Sequence, residues 1–551
     1  MKRKKFFEIF QMNSLRKFRE ISYFDKKTYL PQWISISILL LIAFILRLIY
    51  LHMTTAITGD AVHYAWAAED LAKGRFGNLE QYWINLFCYW QASLLFLGMD
   101  RVSGAIISTF IPGIILIIPV VWLAKSLYGT RVGLYAGLFT AMHPRLIEFS
   151  CNGYSEIFYI FLITCGIACL TRLIQRPSKA MALGWGISMG LYWSVRGEGL
   201  VLFLATLFLV IWVFVRKSER IDGPAHMPVK SSNRKLYISY IIYGIISFLI
   251  IMVIYANLLK FTVGATDLFS KKSTLSLKFA SPINYKESVQ EIFSSQGVVF
   301  GINEPTPSYL SYIPRLILHY PKYFLYFVKK LPSVLMSPLF IFAILLPFFK
   351  TRQDRRLADK SPLLLMLIFP LLFYPFVMVD LRHILVILIP IHIFSTAGLI
   401  KFCDYVSDKL NLHYLLQFCT SVILLIMIAI LIWTGSLKEE NYKYIRILAK
   451  YLAQVVPENE VIMGCPYGYI TTTCFLAGRR SCPRLVTNDP NELIRFVRQK
   501  KTRWLILYED FMRKANEQLL SVLDRGLPGF ERVYEVKDRY GFRVQVFHIK
   551  N

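Results

Sequence analysis

The chain has 551 residues, of which 55% are hydrophobic, 15% aromatic and only 18% charged, with a mean hydropathy of +0.46. Soluble globular chains carry about 25% charged residues and disordered chains few aromatics, so this composition excludes both classes. A formal net charge of +28 would suit nucleic acid, but where the charges fall argues against that partner, and nine cysteines are too few for a disulfide scaffold.

Residues 1–30 hold nine Lys and Arg, beginning Lys2-Arg3-Lys4-Lys5, and have no apolar core or small-residue cleavage site. They read as a basic cytoplasmic or interfacial segment, not a signal peptide. A bilayer core of about 30 Å requires roughly 20 mostly apolar residues per helix. Such runs follow near 33–51, 104–124, 155–174, 198–215, 236–259, 331–349, 361–379, 383–400 and 412–434. Two weaker runs near 132–143 and 180–195 are rich in Gly and Ala, and counting both gives about 11 spans. The apolar interval 84–99 reads as an interfacial segment or a further span. Arg47, one turn below the outer end of the first span, reads as snorkelling to the interface.

With the amino terminus in the cytoplasm, inner loops 125–131, 172–179, 216–235, 350–360 and 401–409 carry 18 Lys and Arg. The short outer loops and the 53–102 segment together carry about six. That asymmetry is the positive-inside rule, and it accounts for much of the charge without nucleic acid. The outer loop 260–330 runs the other way, with nine Lys and Arg against four acids. Long loops translocate regardless of charge, and a basic collar there would attract the anionic phosphates of membrane lipids.

The texture changes after Trp433. Val461-Ile462-Met463, Trp504-Leu505-Ile506-Leu507 and Val544-Gln545-Val546-Phe547 predict short strands, and helical patterns fit 442–455, 490–500 and 511–525. Residues 437–551 therefore predict a small α/β domain, placed outside the membrane by an odd span count. Cys465, Cys474 and Cys482 permit one disulfide there without demanding it. The fold class expected is mainly α: a multi-pass transmembrane bundle over 31–436, with outer loops 53–103 and 260–330, and a carboxy-terminal extracytoplasmic α/β domain.

Ionisable residues at a membrane boundary are costly and therefore informative. Four places stand out, all on the outer face of this topology. Gly59-Asp60-Ala61-Val62-His63-Tyr64 follows the first span, where Asp60 alone would read as an N-cap. Asn152-Gly153-Tyr154-Ser155-Glu156 opens another span, where Glu156 complements the helix dipole. Arg196-Gly197-Glu198 joins two spans as a local ion pair, and Val379-Asp380-Leu381-Arg382-His383 begins a late one, followed by Pro390. Tyr82, Trp83 and Trp90 read as interfacial aromatics, His143-Pro144-Arg145 as a loop entry, Tyr320-Pro321-Lys322-Tyr323-Phe324 as an amphipathic surface segment, and Gly-rich 184–190 as a close helix contact.

Together the four stretches resemble the GT-C membrane glycosyltransferases. The likeness is to the family 39 type, which includes protein O-mannosyltransferases and the lipid A aminoarabinose transferase. Asp60-x3-Tyr64-x3-Ala68-x2-Leu71-x2-Gly74 resembles their first outer loop. Arg196-Gly197-Glu198-Gly199 is similar to their Arg-Pro-Glu-Gly step, and Asp380-x-Arg382-His383-x6-Pro390 to their late Arg-Tyr…Pro helix start. The tail from Pro466-Tyr467 through Ala477-Gly478-Arg479-Arg480 resembles the small outer domain of bacterial members. Many relatives have Asp-Glu where this chain has Asp60-Ala61, so a second carboxylate is missing, while His63 matches the Asp-Glu-x-His form.

The resemblance implies transfer of a sugar from a polyprenyl-phosphate carrier, with inversion, to a lipid, polysaccharide or protein acceptor. A phosphate leaving group is already a stable anion and needs fixed positive charge, for which Arg382 and Arg196 are the candidates. Asp60 is the expected base for the acceptor hydroxyl. Glu156, His63 and Tyr64 are expected around the substrates, and Glu198 behind Arg196. A divalent cation could sit between Asp60 and Glu156, although nothing has the spacing of a dedicated metal site. The competing classes are a polysaccharide or glycolipid transporter or flippase, a polysaccharide polymerase or ligase, and a structural scaffold. Transporters carry internal repeats and mid-membrane polar residues, whereas this chain shows no clear repeat and gathers its ionisable residues at one face.

Overall fold

The structure, a computed structural model, describes residues 31–53, 57–79, 84–221, 232–264, isolated positions between 321 and 335, and then 336–346, 357–377, 381–465, 467–481, 490–499, 502–515 and 517–549. The basic amino terminus, most of the 260–330 loop, parts of the 331–349 run, Tyr82, Trp83 and Asp380 lie outside the described residues, as do Cys482 and the side chains of His383 and Cys465.

The helices in chain order are α1 (Gln32–Met53), α2 (Asp60–Ala72), α3 (Leu86–Phe96), α4 (Arg101–Ile115), α5 (Ile117–Tyr128), α6 (Thr130–Met142) and α7 (Pro144–Phe149). They continue with α8 (Glu156–Gln175), α9 (Lys179–Val195), α10 (Gly199–Ile221), α11 (Ser232–Val263), α12 (Leu357–Val377), α13 (Leu388–Leu410) and α14 (Leu415–Val455). Among the described residues seven helices are long and apolar enough to cross a membrane: Gln32–Met53, Arg101–Tyr128, Glu156–Gln175, Gly199–Arg216, Leu236–Val263, Leu385–Leu410 and Leu415–Glu440. The chain is a multi-pass membrane protein. The two weaker runs form α6 and α9, of 13 and 17 residues, and the 84–99 interval forms the 11-residue α3. All three fall short of the roughly 20 residues a span requires.

Helix α1 shows how the bundle is built for lipid. Leu39, Ala43, Arg47 and Tyr50 lie one above another on its buried face, whereas Leu41, Phe44, Ile45, Leu48 and Ile49 point outward. A helix that exposes its branched apolar residues and buries its Arg is stable only where the surroundings are hydrocarbon. Arg47 corrects the snorkelling expectation: it is fully buried, and one terminal nitrogen donates to the carbonyls of Ala43 at 3.1 Å and Ala141 at 3.3 Å. The periodicity of α1 could not reveal this, because the covering comes from α6.

The basic end of the bundle lies opposite the end of α1 that leads to Asp60. Lys125 of α5 donates to the Gln32 side chain at the start of α1, and Arg131 of α6 pairs with Asp404 of α13 at 3.0 Å.

Small residues set a close helix contact. A Cβ on Gly186 of α9 would stand 2.1 Å from the Gly244 carbonyl oxygen and from Ser247 Oγ of α11. Around it Trp185 stacks on Phe203 at 5.2 Å, and Phe203 on Phe248 at 3.9 Å, tying α9, α10 and α11 into one aromatic layer. Gly186→Ala is expected to lower stability by about 1–3 kcal/mol through forced separation of α9 and α11. Thermal unfolding of the purified protein in detergent checks this, and an unchanged midpoint would remove the close-packing account.

Helix α14 is 41 residues and therefore about 60 Å long, and it leaves the bundle to become one wall of the carboxy-terminal domain. Its residues Tyr444, Ile445, Leu448, Ala449 and Leu452 pack on one face of a five-stranded sheet. The strands are β1 (Val461–Cys465), β2 (Arg480–Ser481), β3 (Trp504–Tyr508), β4 (Phe530–Lys537) and β5 (Arg543–Ile549), in the order β2-β1-β3-β5-β4. β1 pairs in parallel with β2 and β3, while β3–β5 and β5–β4 are antiparallel. Along β3 the side chains alternate, Trp504, Ile506 and Tyr508 toward α14, Leu505 and Leu507 toward Leu493, Val497 and Met512 on the other face. Between β1 and β2 lies α15 (Tyr467–Leu476), whose Cys474 is a buried free thiol. Strands β2 and β4 are absent from the sequence expectation, since β2 has two residues and β4 is largely exposed without strict alternation.

Candidate functional site

Four helix ends meet beyond the termini of the bundle. Asp60 is the first residue of α2. The capping position falls on Gly59, which makes no side-chain cap, so Asp60 is free of the N-cap role and turns toward another element. Gly59 has φ +55°, and a Cβ there would stand 2.8 Å from Tyr154 Oη, so glycine serves both the backbone and the approach of Tyr154. Glu156 begins α8, Arg196 ends α9, and Glu198 immediately precedes α10. Arg382 lies in a short 3₁₀ helix, Leu381–Ile387, that feeds α13. Pro390 falls in the first turn of α13, where a missing N–H costs no hydrogen bond.

Arg382 is the centre. Its terminal nitrogen donates to Asp60 Oδ2 at 2.5 Å, and its Nε stands 3.5 Å from Glu156 Oε1. The guanidinium lies over the Tyr154 ring, 5.3 Å from the centroid, and Tyr154 Oη in turn bonds the Thr58 hydroxyl at 3.1 Å. Glu156 is 2% exposed, and its second oxygen, Oε2, is buried without a hydrogen-bond partner. A buried carboxylate of this kind depends on nearby cations, which are Arg382 and, further off, Arg196.

Arg196 forms the second cationic group. Its Nε donates to Glu198 Oε1 at 2.9 Å, and its guanidinium lies over Tyr159, one turn beyond Glu156 on α8, at 5.3 Å. Tyr64, one turn from Asp60, is buried against Phe87 at 5.7 Å and lies within the field of Asp60, Glu156, Arg196 and Arg382. Burial pushes the Tyr64 and Tyr154 phenols above their ordinary range, so both stay protonated donors at neutral pH. Tyr154 and Thr58 were not singled out as functional by the sequence reading. The available signal was the pair of Gly-preceded polar residues, Gly59-Asp60 and Gly153-Tyr154, both glycines having positive φ.

His63 stands edge-on to Trp66, with ring centroids 5.6 Å apart. Burial pushes its imidazole down to about 4, and the Asp60 carboxylate pulls the other way without overcoming it. His63 is therefore neutral at pH 7 and serves as a hydrogen-bonding group, not a fixed cation. A His whose folded value lies below its unfolded 6.5 gives full stability above pH 6.5, which is lost as pH falls toward 4. We expect His63→Leu to flatten the acid limb of thermal stability between pH 6.5 and 4 by on the order of 2–3 kcal/mol. Parallel melting curves for parent and variant would contradict this burial account.

Ala61, where many of the resembled enzymes carry Glu, is fully buried with Ala65, Trp66, Ala105 and Phe475. The missing carboxylate is thus replaced by apolar packing. Among the described residues no group of three His, Cys, Asp or Glu side chains is placed to hold a metal ion. Asp60 and Glu156, the pair expected to share a cation, face one already, the Arg382 guanidinium.

No family model and no curated protein matches the chain. Solved structures do match. ArnT from Cupriavidus metallidurans bound to undecaprenyl phosphate aligns over 94% of this chain and 98% of its own, at 14% identity and a TM-score of 0.54. Its apo state aligns over 94% and 97%, at 13% identity and a TM-score of 0.55. An oligosaccharyltransferase from Archaeoglobus fulgidus, in complex with Zn and sulfate, covers 93% of this chain and 72% of its own, at 14% identity and a TM-score of 0.49. The chain has the GT-C fold of membrane glycosyltransferases.

Proposed function

We propose that the protein is an integral-membrane glycosyltransferase that moves a sugar from a polyprenyl-phosphate carrier to an acceptor on the outer face of the membrane, with inversion. The observation that carries the reading is Arg382 held between Asp60 and Glu156 on the GT-C fold, at the end of the bundle opposite its basic loops. The ArnT relative's undecaprenyl phosphate supports the class of carrier.

The chemistry follows from what each group can do. The acceptor oxygen attacks the anomeric carbon, the bond from that carbon to the phosphate oxygen breaks, and the carrier phosphate departs with the bonding pair. Arg382 and Arg196 offer planar forks to that anion, and charge-assisted bonds of this kind are the strong ones. In the absence of donor Arg382 is paired with Asp60; an arriving phosphate would take over its donors and release the carboxylate. Asp60 then accepts the proton from the acceptor hydroxyl as the new bond forms. Glu156 Oε2, buried without a partner, would accept from a sugar hydroxyl; Tyr64 lies within the field of the same carboxylate and His63 within that of Asp60. Glu198 holds Arg196 in place from behind.

The positive-inside pattern supports an amino terminus in the cytoplasm with both the site and the carboxy-terminal domain outside, which an alkaline phosphatase fusion after residue 436 would read as active enzyme. The reaction itself is tested with purified protein in lipid nanodiscs and a panel of undecaprenyl-phosphate sugars and lipid-linked acceptors. Release of undecaprenyl phosphate together with an inverted anomeric centre is expected for one donor. If no donor in the panel is consumed, with acceptor present, the reading fails.

A further inference from the structure

The site uses the first turn of α2. One side of that helix, with Tyr64, Ala67, Ala68 and Leu71, packs into the bundle core, and the other side meets the carboxy-terminal domain. Phe475, near the end of α15, is fully buried in one cluster with Ile57, Ala61, Val62, Ala65, Trp66 and Ala105, all of which come from the outer loop and α4. Its ring lies 6.3 Å from that of Trp66. Arg101 at the start of α4 lies over the same ring at 4.8 Å and donates to the Phe475 carbonyl at 3.1 Å.

A charged contact continues the join. Arg480 of β2 donates to Asp70 Oδ1 at 2.7 Å, an oxygen it shares with Arg75 at 2.7 Å, and its guanidinium covers the Trp66 ring at 5.5 Å. Asp70 is 1% exposed, and the two guanidiniums that hold it, 35% and 42% exposed, cover it from solvent. Trp66 in turn meets His63, one turn from Asp60. An unbroken line of contacts therefore runs from the sheet domain through Trp66 to the turn that carries the carboxylate.

Helix α2 needs such support. At 13 residues it is marginal as an isolated helix, and it is too short to be fixed by spanning the bilayer. A working carboxylate has to be held within about 0.5 Å of its place. Contacts between domains of one chain are usually polar and permissive of motion; this one has a buried aromatic at its centre and a buried carboxylate at its edge.

We propose that the carboxy-terminal domain is a positioning clamp for the transfer site, with Phe475 and Arg480 as positioning residues that set α2, and through it Asp60, against Arg382. The inference rests on the glycosyl-transfer reading for its kinetic consequence but not for its structural one. The test uses the full chain in nanodiscs, comparing the parent with Phe475→Ala, Arg480→Ala and Arg480→Lys. Hydrogen–deuterium exchange is expected to rise across residues 57–72 in both Ala variants and to stay unchanged across 156–175. In transfer assays kcat should fall about tenfold or more while KM for the donor and affinity for undecaprenyl phosphate hold, because the carboxylate and not the phosphate site is displaced. Arg480→Lys should restore most of both readouts by keeping the charge at Asp70. Since Phe475 is a core residue whose loss can unfold the domain, the partly exposed Arg480 keeps the test readable. Unchanged exchange over 57–72 in Arg480→Ala, or a rise in KM with kcat preserved, overturns the clamp. If the parent turns over no donor, the glycosyl-transfer reading has failed, and the exchange result alone decides the clamp.

Discussion

Asp60→Asn is expected to reduce transfer by about 10²–10⁴-fold, the range that a positioned proton acceptor contributes. The amide keeps the size and can still accept from Arg382, so the helix ends should stay together, but it cannot take a proton at neutral pH. Membrane insertion and undecaprenyl phosphate binding should match the parent, because the amide keeps an acceptor oxygen facing Arg382. Single-turnover transfer with bound donor is the decisive measurement, since it isolates the chemical step from binding. Transfer at the parental rate would remove Asp60 as the base.

Arg382 should show the opposite division. Arg382→Lys is expected to lower donor use by about 10²–10³-fold, comparable to removing one fixed donor from a developing oxyanion, and to affect acceptor use less. Lysine is a point charge on a flexible stem and cannot face Asp60, Glu156 and a phosphate from one planar fork. The truncation Arg382→Ala carries a second penalty. Glu156 is almost completely buried, and leaving a buried charge without its partner costs about 3–5 kcal/mol. Arg382→Ala should therefore melt early, and adding Glu156→Gln should recover stability without recovering transfer. Recovery of both would make Arg382 a structural counter-ion alone, and a larger loss toward acceptor than donor would reassign it to the acceptor side.

Much of the architecture is legible in local pattern. Apolar runs of about 20 residues, loop charge asymmetry and the change after Trp433 are properties of contiguous sequence. The long helices at 101–128, 156–175, 199–216 and 415–440 and the strands at 461, 504 and 544 appear where those patterns lie. Where the pattern is weak the sequence says less: β2 has two residues, and the 442–455 helix proves to be the continuation of α14 because nothing between 434 and 442 breaks it.

Chain positions 60, 156, 196 and 382 could be picked out because an ionisable residue beside an apolar run is conspicuous in one dimension. Their mutual distances could not. Asp60 and Arg382 are 322 residues apart, and their 2.5 Å contact exists because the starts of α2 and α8 and the 3₁₀ helix before α13 converge. Hydropathy reports whether a residue faces lipid or protein, not which neighbour it faces. The same limit hid the burial of Arg47, which depends on α6, the aromatic platform of Tyr154, and the hold of Phe475 and Arg480 on α2. Sequence by itself thus determined the membrane class, the helices and the residues able to do chemistry. The tertiary structure decided which of them meet, because side-chain contacts between distant segments follow from packing, and packing is a property of the whole bundle.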